Sequence, residues 1–292
     1  MVIGRQGQVA RALTELSPAC GVQVIPLGRP QFDLTASEMV ESTLRAAGAD
    51  IVVNSAAYTA VDQAEREPEQ AKAVNETGAA AVAAAAHALA VPLIHLSTDD
   101  VFDGSKATPY QEEDSVAPTS VYGASKWAGE RAVAAATPNH VILRTAWIYA
   151  PYGKNFVRTM IALGQTRDEV RVVADQCGCP TYAPDIATAI VTIARNLLSN
   201  PDNPELRGLF NLAGNGETSW ADFALAIFAI LRAKGMRAPV VMPITTADYP
   251  TAARRPANSR LDCGKLARLH GIRLPAWQDS LRTCLERLTV ES

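Results

Sequence analysis

Short apolar runs alternate with alanine-rich stretches through the first half of the chain. Met1-Val2-Ile3, Val22-Gln23-Val24-Ile25, Ile51-Val52-Val53-Asn54, Pro92-Leu93-Ile94-His95-Leu96 and Val141-Ile142-Leu143-Arg144 read as five strands. Between them, Val9 to Leu16, Ala36 to Ala47, Ala64 to Ala90 and Ser125 to Ala136 have helical composition. Strands that alternate with helices build βαβ units, which predicts an α/β fold with a doubly wound parallel sheet. Right-handed crossovers then gather the loops after the strands along one carboxyl edge, where ligands bind. The first strand has three residues before a glycine turn, where about 5–6 is usual for a strand. Either the chain begins late or that strand is unusually short.

The second half is less regular. Asn155 to Leu163, Pro184 to Leu198, Ser219 to Lys234 and Ala276 to Leu288 read as helices. The third of these starts on Thr218 or Ser219 followed by Asp222, a capping signal. Val170 to Ala174 and Gly208 to Leu212 are strand candidates, and Pro239 to Pro256 reads mostly as loop. The βα rhythm ends near Tyr149 to Gly153. The expected division is 1–149, rejoined by about 184–213, and 150–292.

Composition narrows the classes. Of 292 residues, 48% are hydrophobic and 20% charged, which is ordinary for a soluble globular chain. The net charge of -3 supports neither nucleic-acid binding nor a basic membrane face. No apolar run is long enough to span a bilayer, and no signal peptide opens the sequence, so a cytoplasmic protein is expected. Of the five cysteines only Cys177 and Cys179 stand close, at a spacing foreign to zinc or thioredoxin-like motifs, and the four histidines are scattered. Reduced thiols and no protein-built metal site are therefore expected.

The candidate chemistry lies after the strands. Gly4-Arg5-Gln6-Gly7-Gln8-Val9-Ala10 fits G-x-x-G-x-x-A between a strand and a helix. There glycine admits a pyrophosphate to the backbone, and the helix start offers free N–H groups. The alternative is a plain turn. The second strand is followed by Pro26-Leu27-Gly28-Arg29-Pro30, with an arginine where an NAD-binding acid is usual. Arg29, with Arg5, suits a 2′-phosphate; the alternative is a solvated side chain. Asp33 and Leu34 follow on a loop placed to lie against adenine. Asn54-Ser55-Ala56-Ala57-Tyr58-Thr59 offers small residues for close cofactor approach, or for tight helix–strand packing. Tyr122 and Lys126 stand four apart, so a helix puts them on one face and the ammonium lowers the phenol pKa toward working pH. Ser97-Thr98-Asp99 supplies a hydroxyl to hold a carbonyl near Tyr122; alone it reads as a turn. Trp147, after the fifth strand, suits a sugar face or the core.

These motifs together resemble the extended short-chain dehydrogenase/reductase superfamily, and within it the dTDP-4-dehydrorhamnose reductase family. The resemblance rests on Gly4-x-x-Gly7-Gln8-Val9, Asn54-x-Ala56-Ala57-Tyr58-Thr59-Ala60-Val61-Asp62-x-Ala64-Glu65 and Ser97-Thr98-Asp99-x-Val101-Phe102-Asp103-Gly104. It continues with Tyr122-Gly123-x-x-Lys126, Arg144-Thr145-x-Trp147, Asp175-Gln176-x-Gly178-x-Pro180-Thr181 and Ala253-Arg254-Arg255-Pro256-x-x-Ser259. It runs nearly end to end. It implies a Rossmann-type sheet with a smaller, mixed α/β C-terminal substrate-binding region. The implied reaction reduces the 4-keto group of dTDP-4-dehydro-L-rhamnose with NADPH or NADH, in nucleotide-sugar and cell-surface polysaccharide biosynthesis.

The resemblance also implies site residues. Thr98, Tyr122 and Lys126 are the catalytic set. Gly4, Gly7, Gln8, Val9, Arg29, Asp33, Leu34, Ala57, Tyr58, Thr59, Tyr122 and Lys126 are the cofactor set. Thr98, Asp99, Trp147, Asn155 and Arg255, with Arg254, are the substrate set; the alternative for the arginines is an ion pair that packs segments together. The family commonly has tyrosine where this chain has Asp100. A divalent cation at a dimer contact is described for some members, but no residue here carries it over, and a homodimer stays open. Two rivals remain: a sugar-nucleotide epimerase or dehydratase, for which Asp99-Asp100 offers a carboxylate pair, and a non-catalytic NADP-binding subunit like that of methionine adenosyltransferase.

Overall fold

The computed structural model describes residues 1–290. Its six-stranded sheet is parallel throughout and has the order Gly208–Asn211, β5, β4, β3, β1, β2. Here β1 is Val2–Ile3, β2 Pro26–Leu27, β3 Val52–Asn54, β4 Leu93–Thr98 and β5 His140–Thr145. β1 lies between β2 and β3, so the winding direction reverses there and a crevice opens beyond its carboxyl end.

Alternating side chains decide the two layers. Val2, Val53, Ile94, Leu96, Val141 and Leu143 bury against α1 (Gln8–Cys20) and the helix Ala183–Ser199. Ile3, Val52, Leu93 and Ile142 face the other way, with Val40, Leu44 and the alanines of Ala79–Ala88. The helix Val121–Ala136 crosses that second face. Its start is fixed twice, because Ser120 Oγ accepts from Gly123 N at 3.0 Å and Glu65 Oε1 accepts from Val121 N at 2.8 Å. A separate core gathers the helices Phe156–Thr166, Trp220–Ala233 and Trp277–Val290 over a two-stranded parallel pair, Glu169–Val173 with Val240–Ile244.

Three sequence expectations need correction. The second strand is not Val22 to Ile25 but Pro26–Leu27, because Gly4 N bonds to Leu27 O and so fixes the register there. The fourth strand runs on through Ser97 and Thr98. Pro239 to Pro256 is not mostly loop at its start: Val240–Ile244 pairs along Glu169–Val173, and as an edge strand it tolerates Pro243.

Candidate active site

The glycine turn is open where a ligand would lie. Gly4 has φ of 110°, and a Cβ there would stand 2.8 Å from Ser55 Oγ, so the close passage of two chain segments demands glycine. Gly7 has nothing within 4 Å of the position its Cβ would take, and it caps α1 with no side-chain hydrogen bond. The start of α1 thus carries no side-chain cap and no acid in its first turn, at the positive end of the helix dipole. Gln8 borders this space; its amide donates to Ile148 O at 3.4 Å and accepts from Asn155 Nδ2 at 2.9 Å.

Not every expected contact residue points into the crevice. Val9 and Leu34 are core side chains, each 5% exposed, so only their backbone can serve a ligand. Arg29 is 80% exposed with Asp33 3.9 Å away, and Thr35 holds the Asp33 carboxyl below its usual range. Ala57 and Tyr58 are half-buried and Thr59 is exposed. Tyr58 is held at its backbone by Asn75, whose amide accepts from Tyr58 N at 2.8 Å and donates to Tyr58 O at 3.1 Å.

Asn75 is a residue that sequence reasoning passed over. It sits in a π-helical turn, Ala73–Gly78, inside a stretch that composition alone reads as ordinary helix. Its Nδ2 also donates to Ser125 Oγ at 2.9 Å, and Ser125 Oγ donates to Tyr122 O at 2.7 Å. The turn presses its Asn75 carbonyl onto Gly129, where a Cβ would come within 2.0 Å of that oxygen. Gly123 is equally tight against the Asp100 carbonyl, at 2.1 Å. Two glycines thus let the helix with Tyr122 and Lys126 lie directly on the π-helical turn and on the segment after β4; glycines at helix-interior positions were the available signal.

Thr98, Tyr122 and Lys126 come together at the carboxyl end of β4, all buried. The Thr98 hydroxyl donates to Asp99 Oδ1 at 3.0 Å and accepts from Asp100 N at 3.2 Å. Lys126 Nζ donates to the Leu96 carbonyl at 2.6 Å rather than to the phenol. This overturns the expectation that Lys126 lowers the Tyr122 pKa. Burial, then the Asp100 and Asp99 carboxylates, hold the Tyr122 phenol above its usual range, against the Thr98 hydrogen bond. Burial pushes Lys126 down to about 8, with Glu130 opposing. Behind it, Glu130 and Arg144 form a buried two-point ion pair at 2.9 and 2.7 Å, joined by Ser97 Oγ donating at 2.5 Å.

The substrate-set residues divide. Asp99 is buried between Thr98 and Ser259, and burial plus the Asp100 charge hold its carboxyl above the usual range. Asp100 is raised by burial too, with Arg255 opposing. Arg255 donates to Asp62 Oδ2 at 2.8 Å, and Asp62 also accepts from Ala253 N at 3.0 Å, so an ion pair does tie these segments, and it does so at the rim of the site. Arg254 is exposed. Trp147 has φ of 47°, rare for a bulky residue. Its indole stacks on Trp220 at 3.4 Å and lies against Gly178, whose Cβ would meet it at 2.4 Å. Asn155 is half-buried; its Oδ1 accepts from Arg158 N and its Nδ2 donates to Gln8, Ala150 and Tyr152.

A family model described as the RmlD substrate binding domain matches residues 1–290. The chain is 54% identical to a dTDP-4-dehydrorhamnose reductase of Sinorhizobium fredii over 290 residues, 99% of this chain and 97% of that protein. It is 38% identical to the Escherichia coli (strain K12) protein of the same name over 295 residues, 99% and 97% of the two chains. A crystal structure of dTDP-4-dehydrorhamnose reductase from Bacillus anthracis in complex with NADP superposes with a TM-score of 0.89 at 36% identity, covering 100% of this chain and 98% of that one.

Proposed function

Since the chain belongs to the dTDP-4-dehydrorhamnose reductase family, we propose that it reduces the 4-keto group of dTDP-4-dehydro-L-rhamnose with NADPH or NADH, giving dTDP-L-rhamnose. The observation that carries this reading is the burial of Thr98, Tyr122 and Lys126 together at the carboxyl end of β4. The open glycine turn and uncapped start of α1 fit a dinucleotide pyrophosphate, and Lys126 is the residue to hold its nicotinamide ribose. Bound there, the dinucleotide supplies the hydride.

The chain's own residues handle the charge that builds on the sugar oxygen. Tyr122 donates its proton to that oxygen, and Thr98 hydrogen-bonds it. Burial suits this task, because a phenol held above its usual range arrives protonated and keeps its proton until an oxyanion forms. Trp147, half-exposed on its aromatic pile, offers a face to the sugar. Arg255, close enough to act on both Asp100 and Tyr122, offsets the carboxylate charge that Asp100 brings to a diphosphate-bearing substrate. No helix among the described residues is long and apolar enough to cross a membrane, which agrees with a reaction run in the cytoplasm on a water-soluble substrate.

The test is oxidation of NADPH and, separately, NADH with a panel of dTDP-4-keto sugars. Tyr122→Phe is expected to bind NADPH normally and lose roughly 10²–10⁴ in turnover. Wild-type turnover in that variant removes Tyr122 as proton donor, and no oxidation of either cofactor with any sugar removes the reductase reading.

A further inference from the structure

The stretch from Pro250 to Ser259 follows the strand Val240–Ile244 and runs to the rim of the site, and its two halves are held very differently. The second half is bolted down on several sides. Cys177 O accepts from Ser259 N and Cys177 N donates to Ala257 O, both at 2.8 Å. Asn258 Nδ2 donates to the carbonyls of Lys106 and Thr108 at 2.6 and 2.9 Å. Pro256 lies so near Gly104 that a Cβ on that glycine would stand 2.6 Å from it. The first half has far less. Thr251, Ala252 and Arg254 are exposed. Among the described residues, the hydrogen bonds that tie 250–255 to other segments are a long one, Thr119 Oγ1 to Arg254 O at 3.3 Å, and a pair on Asp62.

Asp62 grips that half with both carboxylate oxygens. Its Oδ1 accepts from Ala253 N at 3.0 Å and its Oδ2 from Arg255 Nη2 at 2.8 Å, so one side chain fixes both the backbone and the guanidinium of this strap. Asp62 itself stands on the short helix Val61–Ala64. Val61 and Ala64 share an apolar cluster with Tyr122, and Glu65 caps the helix of Tyr122 through Val121 N at 2.8 Å. The same turn of chain thus seats the proton donor and holds the strap that carries Arg255 to the rim.

Resting on the reductase reading, we propose that Asp62 is a positioning residue for the sugar-nucleotide substrate: it fastens the Ala253–Arg255 strap over the site and fixes Arg255 where the substrate binds. Asp62 acts through the Ala253 backbone and the Arg255 guanidinium, not by touching substrate or cofactor. A carboxylate suits the task, because its two oxygens accept from a backbone N–H and a guanidinium at once, each bond assisted by charge. The Arg255 and Asp62 side chains are 27% and 47% exposed, and an ion pair that open to water adds little to stability. Its loss is therefore expected to show in substrate binding and not in folding. Arg255 also opposes the burial that raises the neighbouring Asp100 carboxyl, so a fixed guanidinium keeps that extra acid balanced beside the substrate.

The test uses the full chain and four variants: Asp62→Ala, Asp62→Asn, Arg255→Ala and the double variant Asp62→Ala with Arg255→Ala. Asp62→Ala is expected to raise KM for dTDP-4-dehydro-L-rhamnose about 10-fold, to lower kcat less, and to leave NADPH affinity and melting temperature nearly unchanged. Asp62→Asn keeps an oxygen for the Ala253 N–H and is expected to lose less. Arg255→Ala is expected to raise KM too, and the double variant to fall well short of the product of the two single effects, as for residues that act through one another. Trypsin reads the strap without turnover. Cleavage after the exposed Arg254, followed by mass spectrometry, is expected to run about 5-fold faster in Asp62→Ala. Either a wild-type KM or an unchanged cleavage after Arg254 in Asp62→Ala overturns the proposal. Single effects that multiply in the double variant overturn it as well, by making Asp62 and Arg255 independent. A loss of NADPH affinity and of melting temperature alongside the rise in KM does so too, by making Asp62 a general support. Should Asp62→Ala fail to fold, Asp62→Asn decides by the same readouts. A wild type that turns over no dTDP-4-keto sugar sinks the reductase reading, while cleavage after Arg254 still decides whether Asp62 holds the strap.

Discussion

Gly129→Ala tests whether the helix carrying the proton donor must lie where it does. The new methyl would stand 2.0 Å from the Asn75 carbonyl oxygen, where an ordinary contact begins at 3.4 Å, so the helix or the π turn has to retreat by more than an ångström. The obstacle is backbone, held by Asn75's bonds to Tyr58 and Ser125, and no flexible side chain can swing aside. Alanine gains about 1 kcal/mol of helix propensity over glycine. Overpacking costs about 1–3 kcal/mol, more against rigid backbone, so the clash wins. A displacement of about 1 Å at a reacting group costs roughly 10² in rate. The expected variant therefore melts several degrees lower and turns over roughly 10²-fold more slowly, with NADPH affinity little changed. Thermal melting, cofactor titration and steady-state kinetics read the three separately. A variant with wild-type melting and wild-type kcat would show that the close approach of Gly129 to Asn75 plays no part in placing Tyr122.

The other expectations concern charge and open space. Gly7→Ala, with nothing within 4 Å of its Cβ, should leave melting unchanged while weakening NADPH binding; undiminished affinity would mean that no ligand passes there. Lys126→Met should raise the melting temperature at pH 7. The folded-state pKa of about 8 lies below the ordinary lysine value of 10.5, so below pH 8 the buried charge is a full burden of about 3 kcal/mol. Between pH 8 and 10.5 the unfolded chain binds more protons, native stability rises with pH, and the gain from methionine should shrink. A gain that grows toward pH 10 has the sign wrong. Glu130→Ala leaves Arg144 buried without its carboxylate and should cost about 3–5 kcal/mol by denaturant unfolding. A loss below about 1 kcal/mol would mean that water or another group replaces the pair.

The sheet was legible because short runs of branched apolar residues alternate with alanine-rich stretches. Register was not: Val22 to Ile25 has the better strand composition, yet pairing of Gly4 with Leu27 places β2 beyond it. Val240–Ile244 escaped because Val240 and Met242 are exposed and Pro243 reads as a breaker, while its partner lies far back in the chain. Tyr122 and Lys126 were visible as a helical pair, but the direction of the Tyr122 shift was not. Spacing counts the near ammonium; it says nothing of Asp100 and Asp99 folded over the phenol, nor of the Leu96 carbonyl that turns Lys126 aside. Glu65 and Asp62 stood in the motif without a role. In the structure one caps the helix of Tyr122 and the other grips Arg255. Asn75 and Ser259 likewise act through contacts that no local pattern encodes.

The strand Gly208–Asn211 meets β5 from Val141 to Arg144, yet it is made long after β5 leaves the ribosome. Until it arrives, a nascent chain carries a raw row of backbone donors and acceptors on an apolar ribbon, open to the same ribbon of another chain. Any fragment cut before Gly208 keeps that edge for good and should clump rather than dissolve.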